Sequence, residues 1–251
     1  MQRSLLLNSL KKEPYFKIIK KYKNKKNLKK TFYNFATDLG NIVPQNKDNK
    51  KILEIKPNLK KISQLKEKKT KIKTVLRYHQ TNLGGSIHSD GPQLFSPPKY
   101  IIMACESNTL NGGDTVLVNT LKIYNFLKKK KPQILKILRK NFFFERRGFN
   151  YTKQNVFAKP IFYKYKKKFI FRYLRDYIEQ GYKIKKKKLS SEQKEAFKCL
   201  DKLLSDKKFI KKTKLKTGDL VILNNHILAH GRTTFKIQKN KSRKLYRIWL
   251  N

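Results

Sequence analysis

Residues 218–232 read Gly218-Asp219-Leu220-Val221-Ile222-Leu223-Asn224-Asn225-His226-Ile227-Leu228-Ala229-His230-Gly231-Arg232. Gly-Asp turns the chain into an aliphatic strand, Leu220–Leu223, and Asn-Asn turns it back. The returning strand brings His230 toward the interior of a sheet. Outward from this hairpin the pattern recurs. Strands are expected at Ile52–Ile55, Tyr100–Ala104, Thr115–Val118, Phe142–Phe144, Ile161–Tyr165, Phe169–Tyr173 and Lys244–Leu250. Helices are expected at Thr31–Leu39, which Gly40 stops, and at Thr120–Leu127 and Pro132–Leu138. A further helix, Ser190–Leu204, has a serine to cap it and Ala196, Phe197, Leu200, Leu203 and Leu204 at helical spacing. Many short strands with helices at the start and middle specify a mainly β chain with flanking helices (α+β), its core a sandwich or barrel.

The 251 residues carry 63 Lys+Arg against 16 Asp+Glu, a formal charge of +47. An apolar share of 38% is still enough to bury a core, which excludes a wholly disordered chain. No apolar run approaches the roughly 20 residues of a membrane span, and Leu5–Leu7 is too short for a secretory signal. Two cysteines, Cys105 and Cys199, make no disulfide framework, so they read as packing residues in a reducing, cytoplasmic setting. The chain divides into a basic N-terminal helical segment, 1–30, and a single catalytic domain, 31–251. It ends just past the last strand, so no C-terminal dimerisation extension is expected.

The charge has two readings. One is a polyanionic partner. The other is genome composition: 53 of the 63 cations are Lys, and Asn, Ile, Phe and Tyr, also encoded by AT-rich codons, are abundant. Nucleic-acid grooves lean on Arg, whose planar fork matches phosphates and bases. Here the Lys runs are spread out, at Lys25–Lys30, Lys128–Lys131, Lys166–Lys168 and Lys185–Lys188, and read as solvated faces. The basic 59–73 stretch and Arg146-Arg147 are likewise expected at the surface.

Only four histidines are present, so each can be weighed. His88 and Asp90 form His-x-Asp, and spacing of two puts both side chains on one face of a strand. Two such ligands and a distant histidine make the facial triad of a non-haem Fe(II) site, with the opposite face open to a chelating cosubstrate and O2. His230 is the distant histidine; His79 and His226 read as non-ligands. Arg243 and Arg247 fall on one face of the apolar last strand. Two inward arginines are costly unless they bind carboxylates, which marks an anion site.

With those residues in place, the chain from about Phe32 to its C-terminus resembles the taurine dioxygenase and clavaminate synthase-like family of Fe(II)/2-oxoglutarate-dependent dioxygenases. The order His-x-Asp, Thr, His, Arg is that of the family. Here 24 residues lie between Asp90 and Thr115, 114 between Thr115 and His230, and 12 between His230 and Arg243. His-Gly-Arg-Thr-x-Phe at 230–235 and Leu39-Gly40-x-x-Val43-Pro44-Gln45 are similar to family sequence as well. The resemblance implies a double-stranded β-helix (jelly roll) with Fe(II) on His88, Asp90 and His230. It implies a 2-oxoglutarate cosubstrate whose far carboxylate meets Arg243 and Thr115, and Arg247 against an anionic group of the substrate or cosubstrate. Arg172, Tyr173 and Arg175, on an amphipathic stretch, are candidates for the substrate mouth.

The activity so implied is O2-dependent hydroxylation of a small organic acid, amino acid or sulfonate-like substrate, with release of succinate and CO2. Asp90 disfavours halogenation, which needs that position free of a carboxylate. The competing readings are a basic nucleic-acid-binding protein on the same scaffold without turnover, and an oxygenase acting on a polyanionic macromolecule.

Overall fold

Two antiparallel sheets enclose the inner core of the computed structural model, which describes residues 3–20, 27–67, 80–147, 155–237 and 242–251. The larger runs β1 (Phe16–Lys20), β11 (Asp219–Asn224), β4 (Tyr100–Ser107), β13 (Lys244–Leu250), β2 (Ile42–Val43), with β3 (Leu53–Ile55) also paired to β13. The smaller runs β10 (Ile210–Thr213), β5 (Thr115–Asn119), β12 (Leu228–Arg232). Neither closes. Two separate hairpins, β6 (Asn141–Glu145) with β7 (Val156–Pro160) and β8 (Phe162–Tyr165) with β9 (Lys168–Phe171), complete the strands among the described residues.

Alternation sorts the large sheet into two faces. Ile101, Met103, Val221, Leu223, Leu245 and Trp249 point inward and meet Leu117 and Leu228 of the small sheet. Tyr100, Ile102, Leu220, Ile222, Tyr246 and Ile248 point outward under helices α1 (Arg3–Ser9) and α2 (Leu28–Leu39). Helix α2 buries Leu28, Phe32, Ala36 and Leu39, a single stripe at three- and four-residue spacing. With both faces covered, β11 is buried along its whole length, which is why it reads as an unbroken aliphatic run.

The other face of the small sheet, through Val116, Val118 and Ala229, packs on an aromatic layer. That layer comprises the two hairpins and helices α4 (Thr120–Lys130), α5 (Pro132–Leu138), α6 (Arg175–Ile184) and α7 (Ser191–Ser205); α3 (Leu59–Glu67) lies elsewhere in sequence. Helix α7 opens with a capping box in which Ser190 and Gln193 satisfy each other's backbone N–H. Helix α4 is capped by Asn119, which accepts from Lys122 N–H, and α5 starts on Pro132, where no N–H is needed.

Several expectations are corrected. Residues 1–30 are not helical throughout: 16–20 form β1, an edge strand paired to β11, and Leu6, Leu10 and Leu28 join one core cluster with the large sheet. Partnering with β11, distant in sequence, overrides the local lysine-rich pattern. The stretch after β9 does not continue as a strand past Phe171; it turns into α6 at Arg175. Strands β7 and β10 are not among those expected: β7, Val-Phe-Ala-Lys-Pro, ends on proline, and β10, Ile-Lys-Lys-Thr, has two lysines in a row, so neither alternates cleanly. Arg146 is buried, not at the surface. In the 59–73 stretch Ile62 is buried, and 68–73 lie outside the described residues. The lysine runs at 128–131, 166–168 and 185–188 are exposed as expected.

Candidate metal centre

Three elements grip the His-x-Asp tripeptide one residue at a time. His88 and His230 exchange both backbone hydrogen bonds, His88 N–H to His230 O at 3.0 Å and His230 N–H to His88 O at 2.8 Å. The segment 84–88 therefore runs as a ribbon beside β12. Gly231 allows that approach: a Cβ there would meet Ile87 Cδ1 at 2.6 Å. Ser89 donates its N–H to Tyr173 O at 2.9 Å, and its hydroxyl accepts from Tyr173 N–H at 3.0 Å. Asp90 is bound through its backbone to the Asn225 side chain.

The three side chains converge. One ligand atom from each of His88, Asp90 and His230 lies within 4.8 Å of the others. The imidazole Nε2 atoms face the carboxylate, 3.7 Å for His88 and 3.9 Å for His230. His88 Nδ1 sits 2.8 Å from Ser86 O. A carbonyl only accepts, so Nδ1 carries the proton and the Nε2 lone pair points into the cluster. His230 is pushed down to about 3, first by burial and then by His88 and Arg247, against the pull of Asp90. It is a neutral ring at ordinary pH.

Asp90 is buried and ionised. Burial pushes its carboxyl up, but the Arg247 guanidinium, His230 and His88 outweigh that and hold it well below the usual carboxylate range. Arg247 Nη1 lies 2.9 and 2.8 Å from the two carboxylate oxygens, and the Trp249 indole donates to Oδ2 at 2.8 Å. Gln45 braces the arginine, accepting from its Nε at 2.9 Å and donating to its carbonyl at 2.7 Å. Two imidazole nitrogens and one carboxylate oxygen, converging with His88 half-buried and the other two buried, suit a divalent transition metal.

Arg243 is buried beside this cluster's strand, and its Nε has no hydrogen-bond partner among the described residues. Burial pushes it down to about 10. Its stem lies over Gly113, where a Cβ would come 3.2 Å from Arg243 Cδ. Gly113 leads into β5, whose buried Thr115 pairs with Arg232 while Leu117 pairs with His230. Thr115 and His230 thus share one face of the small sheet.

The structure does not bring all candidates together. Arg172 is buried and donates to the carbonyls of Pro92, Leu94 and Phe95, fastening the loop that follows Asp90. The Tyr173 side chain leaves the centre, its hydroxyl bonded to Asp201 of α7 at 2.5 Å. Arg175 pairs with Glu179 and Asp201. Tyr173 and Arg175 therefore brace α6 against α7, and only the Tyr173 backbone touches the His-x-Asp segment. His226 bonds Pro97 O at 3.1 Å, and burial pushes it down to about 4. His79 lies outside the described residues. Cys105 and Cys199 are buried and free. Sequence reasoning missed the contacts of Asn225, Gln45 and Trp249. The Gln45 motif had been singled out, and Trp249 shares the Arg247 strand face, but nothing in the sequence marked the Asn225 side chain as more than a turn residue.

The family model "Taurine catabolism dioxygenase TauD, TfdA family" matches residues 24–249. FR-33289 synthase of Streptomyces rubellomurinus is 25% identical over 186 residues, covering 70% of this chain and 52% of its own length. The chain thus spans about half the length of that curated relative. Among solved structures, asparagine oxygenase in complex with Fe(II), 2S,3S-3-hydroxyasparagine and succinate superposes with a TM-score of 0.65 at 13% identity, over 88% of this chain and 63% of that one. The non-heme iron oxygenase OrfP in complex with Fe and alpha-ketoglutaric acid gives 0.69 at 12% identity, over 99% and 78%. These likenesses are in fold.

Proposed function

The chain belongs to the TauD/TfdA dioxygenase family, and from that premise we propose that it is a non-haem Fe(II)/2-oxoglutarate-dependent dioxygenase. Its proposed reaction hydroxylates an unactivated C–H of a small organic acid, amino acid or sulfonate-like substrate, releasing succinate and CO2. The observation that carries this reading is the convergence of half-buried His88 with buried Asp90 and His230 within 4.8 Å.

The residues fit the metal. His88 offers Nε2 because Ser86 O holds its Nδ1 proton, burial keeps His230 neutral, and Asp90 is ionised. Iron and 2-oxoglutarate, when bound, supply the oxidising chemistry with O2. The chain binds, orients and excludes water. Arg247 and Trp249 fix the Asp90 carboxylate before metal arrives, so little reorganisation is left for binding. Arg243, buried with a spare donor, would receive the far carboxylate of 2-oxoglutarate in charge-assisted hydrogen bonds, and the Thr115 hydroxyl would satisfy a remaining lone pair. Arg247 would sit between metal ligand and an anionic substrate group. Arg172 would hold the 91–98 loop as a wall of the site rather than contact substrate itself.

The catalytic unit proposed is 31–251, with β1 extending its sheet. Among the described residues no helix is long and apolar enough to cross a membrane. Together with two free, buried cysteines, this supports our placing the enzyme in the cytoplasm. The exposed lysine runs support only non-specific, salt-dependent polyanion binding.

The test is anaerobic titration of the purified protein with Fe(II) and 2-oxoglutarate, watching for a weak visible charge-transfer band. A band present in wild type and absent in His230→Ala is expected, and licenses a substrate screen scored by succinate release. Failure of wild type to bind iron overturns the proposal.

A further inference from the structure

We propose that Asn225 is a positioning residue for the metal centre, setting the place of Asp90 relative to the two histidines; the inference rests on the metal-binding reading above. Asn225 is fully buried at the corner between β11 and β12. Its Oδ1 accepts from Asp90 N–H at 2.9 Å, and its Nδ2 donates to Asp90 O at 3.0 Å and to Pro98 O at 2.8 Å. Its own N–H donates to Lys99 O at 2.9 Å. Both amide protons are used, and the partners fix the orientation. A flipped carboxamide would set its NH2 against an N–H and its oxygen against two carbonyls.

These bonds take Asp90 on both sides of its Cα. The direction of the Cα–Cβ bond, and with it the carboxylate, then follows the position of Asn225. Five residues further along the same hairpin stands His230, whose backbone in turn holds His88. One hairpin therefore places all three ligands: His230 directly, His88 through the paired backbone bonds, Asp90 through the Asn225 carboxamide. A turn residue needs no such side chain. The neighbouring Asn224 does what a turn requires, accepting from His226 N–H at 3.1 Å, and does not touch Asp90. Asn225 spends its carboxamide on the tripeptide of the site and on the end of the loop that leaves it.

The experiment is Co(II) titration, without cosubstrate, of the full-length wild type and of Asn225→Ala, Asn225→Asp and Asn224→Ala. Trp249, the sole tryptophan, donates to Asp90 Oδ2, so its fluorescence reports metal at that carboxylate. The visible spectrum of bound Co(II) reports the ligand geometry, and melting of the metal-free protein reports folding. Asn225→Ala is expected to weaken Co(II) binding by about 10–100-fold, the usual size for a residue that orients a ligand, and to alter the Co(II) spectrum. Asn225→Asp should be weaker still, because its second oxygen faces the carbonyls of Asp90 and Pro98. Asn224→Ala, which loses only the turn bond, should bind Co(II) as wild type does.

The proposal is overturned if folded Asn225→Ala binds Co(II) within about twofold of wild type. It is overturned too if Asn224→Ala weakens binding equally, which would make the turn the cause. Failure of both Asn225 variants to fold while Asn224→Ala folds would make the residue a folding determinant instead. Wild type that binds no Co(II) would sink the metal-binding reading itself, a distinct result.

Discussion

Arg243 and Arg247 lie four residues apart in the last strand segment, in opposite surroundings. Arg247 is engaged by protein through Nη1 on the Asp90 carboxylate and Nε on Gln45. Arg243 is more deeply buried, yet its Nε has no partner among the described residues. Burying a guanidinium is costly, and hydrogen bonds are what offset it. Around Arg247 that offset comes from the fold. Around Arg243 the described residues offer Nε no such bond, which suits the anion proposed above. On the proposed reading, the first arginine orients a metal ligand and the second receives an anion.

Removing each arginine should therefore separate stability from binding, and the largest effect belongs to Arg247. Arg247→Met leaves the buried Asp90 carboxylate without its cation, and breaking such a pair costs about 3 kcal/mol or more. Urea unfolding of the metal-free protein measures this loss. Saturating Co(II) should recover part of it, since a bound cation takes over the role of the guanidinium. An unchanged metal-free stability would mean that Trp249 and the histidines suffice to hold Asp90, and the contrast would collapse.

Arg243→Met should do the reverse. The metal-free protein should be as stable as wild type or slightly more so, because a desolvated cation is replaced by an apolar chain of similar length. Affinity for 2-oxoglutarate, measured anaerobically with metal bound, should fall by about 30–100-fold, the equivalent of roughly 2–3 kcal/mol for a charge-assisted pair. A large stability loss without a change in 2-oxoglutarate affinity would make Arg243 structural.

How much of this could be read beforehand follows from where the information sits. The helix Ser191–Ser205 and the strand Lys244–Leu250 were visible because their caps and alternation are local. The His-x-Asp pair, His230 and both arginines stood out because scarce residue types in a sheet interior need a reason. Strand β1 was hidden because its partner is distant in sequence and two of its five residues are lysine. Helix α6 was hidden because Phe171-Arg172-Tyr173-Leu174 alternates like a strand before Arg175 begins a turn. Asn225 reads as a turn signal; its side-chain bonds to the Asp90 backbone leave no spacing to detect. Tyr173 looked like a pocket residue for want of any sign that Asp201 would claim its hydroxyl.

The smallest effect decides whether Arg247 is held by Asp90 alone. Gln45 accepts from Arg247 Nε and donates to the carbonyls of Arg247 and Lys51. These bonds tie the entry to the large sheet to the strand under the metal centre. If the Asp90 pair dominates, Gln45→Ala loses ordinary neutral hydrogen bonds and costs about 1 kcal/mol. Co(II) affinity should then change by less than about threefold, because Nη1 stays on the carboxylate. If Gln45 instead sets the angle of the guanidinium, Gln45→Ala should weaken Co(II) binding about as much as Arg247→Met does. The double variant distinguishes the two: additive losses mean two independent anchors, whereas a double variant no worse than Arg247→Met alone means that Gln45 acts through the arginine. The observed geometry favours additivity in part only, since Arg247→Met removes the Nε bond but leaves the Gln45 bonds to the backbone carbonyls of Lys51 and residue 247. The Gln45→Ala cost in the Arg247→Met background should accordingly shrink by the share of the one lost bond without vanishing.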